Sequence, residues 1–380
     1  MSAVTGEARV VYVSDLERKL SGGGSYTVNW HAFDQLQKRF KATYAGPLTP
    51  QPAMLEIGTS KIRRRVLRLP GSFSYFSPAT LDRNAKMVEP YLADTDAVMF
   101  RSATRWCRCR PKVPYFVYLD VVFHTFFKNT FKDSDFDSRD LERVWHEEAE
   151  FLEGAAGVFF ESRWGLDSAR SAYGLKGTHY SAPGRGGVIQ PPAHDTWDSQ
   201  SRALLSVAMN FHQKGGDITL AAFKSLKQRF PALIWNIVGG PPDGDWQSTE
   251  GISYEGILRP DVPAERQRLE SLLAGAFLIV HPTREDTSPL VLTEAAYFGC
   301  PAVSVDRFAI PELVENGKTG ILLKPPIDSA ALAGAIGSLL DGGARYLDMR
   351  REARSTSIAR HSWDSIGSAI NSQIEQRLGL

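Results

Sequence analysis

The sequence predicts an α/β protein with two Rossmann-like domains, each a parallel sheet covered by helices. Three observations lead there. Short apolar runs alternate with longer amphipathic segments, in two successive series. Pro191-Pro192 and the polar, turn-rich stretch up to Ser201 separate the two series. Apolar runs in both halves lead into glycine turns, the usual exit from a strand into a helix in such sheets.

In the first series Arg9–Val13 reads as a buried strand. A Gly-rich turn over 21–25 follows, then a helix over 26–40. Further strands are expected at 97–100, Tyr115–Leu119 and Gly157–Phe160, and a helix at 141–152, where Glu and apolar residues recur at helical spacing. Residues 47–77, rich in Pro, Ser and basic side chains, fit no element. The second series gives strands at 204–209, 233–238, 277–281, Ala302–Val305 and Gly320–Leu323. Its helices are expected at 218–229, 266–273, 289–298, 330–340 and 344–360, with a last one at 363–377. The expected domains are 1–195, joined by a returning helix at 363–380, and 196–362.

The 380 residues suffice for two cores, and 43% apolar with 23% charged residues is an ordinary globular composition. Lys and Arg total 44 against 43 for Asp and Glu, so net charge gives no case for nucleic acid as a partner. Cys107, Cys109 and Cys300 are too few and too unevenly placed for a disulfide framework or a zinc site; free thiols in a reducing compartment are expected. With no basic start followed by an apolar run, and no stretch near the roughly 18 apolar residues of a membrane span, a cytoplasmic location is expected.

The most informative run is HPTREDTSPLVLTEAAYFGCP, from His281 to Pro301. An apolar strand ends at His281. Ser288 suits an N-cap and Pro289 a first helical position, while Gly299 and Pro301 stop the helix. Asp286 then precedes a helix N-terminus at the carboxyl end of a strand, and Glu294 lies on the second turn. Such a terminus binds anions. Two acids there cannot partner the anion, but they can accept hydrogen bonds from sugar or ribose hydroxyls. Simple interaction with the helix dipole or with solvent would also account for them.

This run resembles the donor-site signature of the family 4 glycosyltransferases of the GT-B fold: two acids eight residues apart, a helix of small residues, then Gly-x-Pro and a strand. Other segments agree in order. Phe211 to Asp217 (FHQKGGD) resembles the family's Lys-Gly-x-Asp turn, 237–240 its glycine turn, 254–258 its base-reading segment, and 309–322 its closing signature. The resemblance covers about 202–340. It implies two Rossmann-like domains facing a cleft, with the C-terminal helix crossing back to the first. It also implies a retaining hexosyltransferase-type enzyme that moves a sugar from a nucleotide-diphosphate sugar to a glycan, lipid-linked or small-molecule acceptor. By the resemblance Lys214 neutralises the diphosphate, Asp286 contacts the sugar and Glu294 the ribose. Backbone at Ser288 and Leu290 faces the phosphates, and Ile257 and Leu258 lie beside the base. Gly239, Gly240, Glu285, Thr287 and Pro289 complete the donor set on this side, and Gly22, Gly23 and Gly24 face the donor phosphates from the first domain.

Two departures stand out. Ser288-Pro289 replaces the family's aromatic-Gly pair and removes one backbone N–H. Met209 stands where the family generally has a second cation for the diphosphate, a loss of about 1.5–3 kcal/mol per charge-assisted hydrogen bond. Arg259 or Arg284 are candidates to compensate.

In the first half Asp120, at the end of a strand, and His124 are candidates for acceptor contacts and are counted with Lys214 and Asp286 as catalytic candidates; a structural histidine is the plainer account of His124. No dedicated base is needed, because in this family the departing phosphate is usually described as taking the acceptor proton. No metal or other cofactor is expected: Asp94/Asp96, Asp133/Asp135/Asp137 and Asp243/Asp245 have metal-like spacing but sit before a strand, in a polar run and in a turn. The basic stretches 61–68 and 101–112 are either solvated surface or a patch for an anionic lipid face or a phosphate-bearing acceptor. Two rival readings remain: a catalytically weak family member acting as a nucleotide-sugar or glycan-binding module, and another two-domain Rossmann enzyme such as an epimerase or dehydrogenase. Thr27, where a dinucleotide fingerprint needs its third glycine, counts against the latter.

Overall fold

A computed structural model describes residues 8–20, 23–49 and 54–380. The chain divides into two compact units, the first built mainly from Ser25–Arg185 and Ile366–Leu380, the second from Gly186–Ser365.

The first unit holds a six-stranded parallel sheet of β1 (Arg9–Val13), β2 (Lys41–Ala45), β3 (Ala97–Arg101), β4 (Tyr115–Leu119), β5 (Gly157–Phe160) and β6 (Tyr180–Ser181), in the order β2-β1-β3-β4-β5-β6. Its helices are α1 (Gly24–Gln37), α2 (Met54–Arg65), α3 (Pro78–Val88), α4 (Phe123–Thr130), α5 (Ser138–Glu153) and α6 (Arg163–Tyr173). The second sheet is also parallel: β7 (Ala203–Ala208), β8 (Ile234–Gly239), β9 (Ile252–Gly256), β10 (Ala276–His281), β11 (Ala302–Val305) and β12 (Gly320–Leu323), ordered β12-β11-β10-β7-β8-β9. Around it run α7 (Gly216–Arg229), α8 (Pro263–Gly275), α9 (Leu290–Tyr297), α10 (Ile310–Leu313), α11 (Ser329–Leu340) and α12 (Gly343–His361).

The apolar runs of the sequence are continuous because both faces of each sheet are covered. In β3 and β4, Val98, Phe100, Val117 and Leu119 fill the core on one face, while Met99, Phe116 and Tyr118 are buried on the other. The second sheet does the same: Leu205 and Ile279 point into one core, Leu204, Leu278 and Val280 into another. Each such side chain contributes about 1.5–3 kcal/mol by burial.

The last helix, α13 (Trp363–Leu378), packs on α1: Asn371 Nδ2 donates to the Gln35 carbonyl at 2.9 Å, Arg39 pairs with Glu375, and Ile366, Ile370 and Ile374 are buried. The expected return of the C-terminal helix is thus observed.

The sequence reading omitted β2, β6 and β9, and helices α2, α3, α4, α6 and α10. Strand β2 lies at the sheet edge with alternate residues partly exposed, and β6 has two residues, so neither carries a long apolar run. The unplaced 47–77 region contains α2. One cap is corrected: Pro289, not Ser288, is the N-cap of α9, with its carbonyl accepting from Leu292 N–H at 3.3 Å. Ser288 is buried, and its hydroxyl makes no hydrogen bond.

Candidate functional site

The carboxyl ends of β7, β8 and β10 gather the charged and glycine residues that the sequence singled out. After β10, Pro282 and Thr283 turn the chain, and Thr283 Oγ1 accepts from the N–H groups of Glu285 (3.3 Å) and Asp286 (3.2 Å). After β7, Gly215 takes a left-handed φ of +76° just before α7, where a side chain would meet the Pro282 carbonyl at 2.3 Å. Only glycine lets these two turns approach so closely.

That approach brings together Lys214 and Asp286, which are 72 residues apart in sequence. Lys214 Nζ donates to Asp286 Oδ2 at 2.5 Å, and both side chains are about four-fifths buried. His281 Nε2, itself buried, lies 3.4 Å from the same oxygen, off line for a well-formed hydrogen bond but close enough to favour the anion. Burial alone would raise the Asp286 pKa. His281 and Lys214 outweigh it and hold the carboxyl well below the usual carboxylate range. The carboxylate and its lysine stand just ahead of the α9 N-terminus, whose first N–H groups lack intrahelical partners.

A second glycine pair shapes the neighbouring strand end. Gly239 has φ +122°, and a side chain there would meet the Ala208 carbonyl at 2.0 Å; at Gly240 it would meet the Met209 carbonyl at 2.1 Å. Tyr254 OH donates to the Gly239 carbonyl at 3.0 Å. Ile257, just after β9, is exposed, and Leu258 packs on the core.

Glu294 is 6% exposed on the second turn of α9. Its Oε1 accepts the Val188 N–H at 2.6 Å, and Tyr297 OH accepts the Gly187 N–H at 3.1 Å. One carboxylate oxygen thus already holds the segment that enters the second unit, a structural task absent from the sequence reading. Glu285 pairs with Gln213, and the Thr287 carbonyl accepts from Ala309 N–H at 3.0 Å.

Neither candidate second cation is available as expected. Arg284 forks onto Asp217 at 2.8 and 2.9 Å, and Arg259 onto Glu265. Met209 is 67% exposed.

Of the glycines ahead of α1, Gly22 lies outside the described residues, Gly23 has φ +106°, and Gly24 opens the helix. Asp120 lines a pocket of about 470 Å³ at the ends of β1, β3 and β4. His124 is not among the residues lining it. Its ring packs 4.8 Å from Trp145, and burial together with Lys128 lowers its pKa. Of the carboxylates with metal-like spacing, Asp96 pairs with Arg9, Asp245 with Lys224 and Asp133 with Lys128, while Asp137 caps α5. The stretch 101–112 is not a free basic surface. Arg101 is buried against Glu161 at 2.6 Å, Arg108 is held by Glu147 and Asp82, and Arg110 donates to the Cys107 and Cys109 carbonyls. Sequence reasoning missed the aromatic wall of the pocket. Its one visible sign was the density of phenylalanines between Phe123 and Phe136.

Two parallel Rossmann-like sheets, with a C-terminal helix returned to the first, define a GT-B protein. The fold agrees over nearly the whole chain with that of sucrose-phosphate synthase from Thermosynechococcus elongatus (TM-score 0.69, 16% identity, 98% of this chain and 99% of that one). It agrees also with that of Anabaena HepE in complex with UDP (TM-score 0.64, 15% identity, 97% and 100%). Residues 192–356, in the second unit, match the family described as Glycosyl transferases group 1. In the same region it is similar to glycogen synthase of Mycobacterium tuberculosis, 30% identical over 169 residues, which is 44% of this chain and 40% of that enzyme. The chain spans about two-fifths of the length of the curated relatives it matches.

Proposed function

We propose that this protein is a retaining glycosyltransferase that takes a sugar from a nucleotide-diphosphate sugar. The observation that carries the reading is the buried Lys214–Asp286 pair at the ends of β7 and β10, immediately before α9. Lys214 meets the diphosphate and α9 presents its N–H groups to it; Asp286 accepts from sugar hydroxyls. The bond from the anomeric carbon to the diphosphate oxygen breaks, a bond to the acceptor oxygen forms, and the acceptor proton passes to the departing diphosphate. The protein contributes position and charge to this exchange, and no step calls for a metal. HepE, of the same fold, was solved with UDP and with UDP-glucose, which makes uridine donors the first to try. Calorimetry with UDP and GDP, followed by transfer assays with their sugars, tests the reading. No binding of any nucleoside diphosphate would end it. Binding without transfer or donor hydrolysis would favour a catalytically weak binding module, the alternative that Met209 and the engaged Arg284 and Arg259 support.

We infer a peripheral membrane contact for residues 61–69 alone. Ile62, Val66, Leu67 and Leu69 are each half or more exposed, among exposed Lys61, Arg63, Arg65 and Arg68. A solvated charged face has no need of four exposed aliphatic side chains, whereas an anionic leaflet takes up both kinds, at about 1 kcal/mol per basic residue. Among the described residues no helix is long and apolar enough to cross a membrane. The free, buried thiols fit a reducing, cytoplasmic compartment. Co-sedimentation with vesicles rich in phosphatidylglycerol, and its loss in a Val66→Ser/Leu67→Ser variant, checks the contact.

A further inference from the structure

The pocket at the ends of β1, β3 and β4 has walls unlike those of a sugar site. Phe73, Tyr75, Phe76, Phe123, Phe126 and Phe131 line it, and its volume of about 470 Å³ suits a ligand of drug-like size. Tyr75 and Phe126 are each 47% exposed, so aromatic surface is left uncovered by the chain itself.

The walls are fixed from behind. Phe73 N–H donates to Asp140 Oδ2 at 2.8 Å, and its ring lies 4.9 Å from that of Phe123. The fully buried Glu148 accepts from Phe123 N–H (2.8 Å), Thr104 Oγ1 (2.7 Å) and Tyr173 OH (2.5 Å). This preorganisation uses up polar groups: Thr104 is committed to Glu148, and Arg105 pairs with Asp15 at 2.7 Å. A free sugar has several hydroxyls, each needing donors and acceptors, and the aromatic wall offers almost none. Polarity collects at one end, where Asp120 follows β4 and Arg101 closes β3. Arg101 is 7% exposed, and its Nε–H is buried without a hydrogen-bond partner. Arg101 and Asp120 both line the pocket, so a ligand's hydroxyl is best matched at this end.

We propose that this pocket binds the acceptor, and that the acceptor is an apolar glycoside or alcohol: its reacting hydroxyl lies beside an aryl or alkyl group that the aromatic wall covers. The proposal rests on the glycosyltransferase reading for its chemistry but not for its binding test.

The test compares phenyl β-glucoside and octyl β-glucoside with methyl β-glucoside, by ligand-observed NMR titration of the full chain without donor. The first two should bind roughly ten-fold or more tighter, which corresponds to about 1.4 kcal/mol. Phe126→Ser and Tyr75→Ser, both on exposed side chains, should each remove several-fold of that preference, while Phe126→Tyr keeps it. UDP affinity, measured in the same variants, should not change. Equal binding of methyl and phenyl glucosides, or a preference that survives both Ser variants, would overturn the proposal. Glucoside preference without any nucleoside-diphosphate binding would instead leave the pocket standing and remove the transferase reading.

Discussion

Two largely buried carboxylates, one in each unit, have their pKa values moved in opposite directions. Asp286 closes the charged turn after β10 with a lysine at 2.5 Å and a histidine at 3.4 Å, and these hold it as an anion despite its burial. Glu148 is buried behind the aromatic pocket with three hydrogen-bond donors but no cation among its named partners; burial outweighs the donors and raises its pKa. A cation in contact decides the sign, since neutral donors do not repay the full cost of desolvating a charge. The second unit thus places fixed charge at its strand ends. The first spends its own on fixed aromatic surface, with the buried acid serving as a brace.

The sharpest way to break this comparison is to remove the cation. Lys214→Ala should weaken nucleoside-diphosphate binding by about 100-fold or more, on the order of 3 kcal/mol for a partly buried charge-assisted contact, while the protein stays folded. Calorimetry with UDP or GDP checks this, and an unchanged affinity would assign the Lys214–Asp286 pair to structure alone.

Next come the two acids. Glu294→Gln should weaken both the free diphosphate and the sugar nucleotide by roughly ten-fold, about one charge-assisted hydrogen bond. Its amide oxygen can still accept the Val188 N–H, so melting should move little. Asp286→Asn should weaken the sugar nucleotide and spare the free diphosphate. If both variants affected both ligands alike, the assignment of Glu294 to ribose and Asp286 to sugar would fail.

What the sequence made legible follows from distance along the chain. Asp286, Glu294, Ser288 and Pro289 fall within nine residues, so a strand end, a helix start and two acids could be read from one run. Lys214 was singled out through the resemblance of its glycine turn, itself a local pattern of seven residues from Phe211 to Asp217. The aromatic pocket joins Asp15, Phe73, Arg101, Asp120 and Phe126, which share no spacing and meet only through the order of the strands. The stretch 101–112 misled for the complementary reason. Its arginines look like surface charge until Glu161, Glu147 and the local carbonyls are placed around them. Likewise no pattern could announce that Glu294 would hold a backbone N–H from 106 residues away.

The opposite pKa shifts give a smaller effect with a definite sign. A folded pKa below the unfolded one, as for Asp286, adds stability above the unfolded value that is lost as pH falls through and below it. A folded pKa above the unfolded one, as for Glu148, means stability lost as pH rises past the unfolded glutamate value near 4.5 and through the raised one. Glu148→Gln removes only the second term. Its melting temperature relative to the parent should therefore rise from pH 4 to pH 7. A relative melting temperature that stays flat or falls would show that the Glu148 pKa is not raised in the folded protein, and the contrast with Asp286 would be lost.

The smallest expected effect concerns Arg284, two residues before Asp286 and the nearest candidate to replace the cation missing at Met209. Its guanidinium makes two hydrogen bonds to Asp217, and its side chain also bonds the His212 carbonyl. Moving it onto a diphosphate would give up that fork and leave Asp217 uncovered beside an anionic ligand. The side chains of the pair are more than a third exposed, so the fork itself is worth about 1 kcal/mol or less to stability. Arg284→Ala should therefore change nucleoside-diphosphate affinity less than about two-fold, below 0.5 kcal/mol. Met209→Arg should strengthen it, because that side chain is exposed and lies where β7 ends. A loss of ten-fold or more in Arg284→Ala would mean that the arginine leaves Asp217 when donor binds. The charge at this strand end would then be rearranged by the ligand rather than fixed in advance.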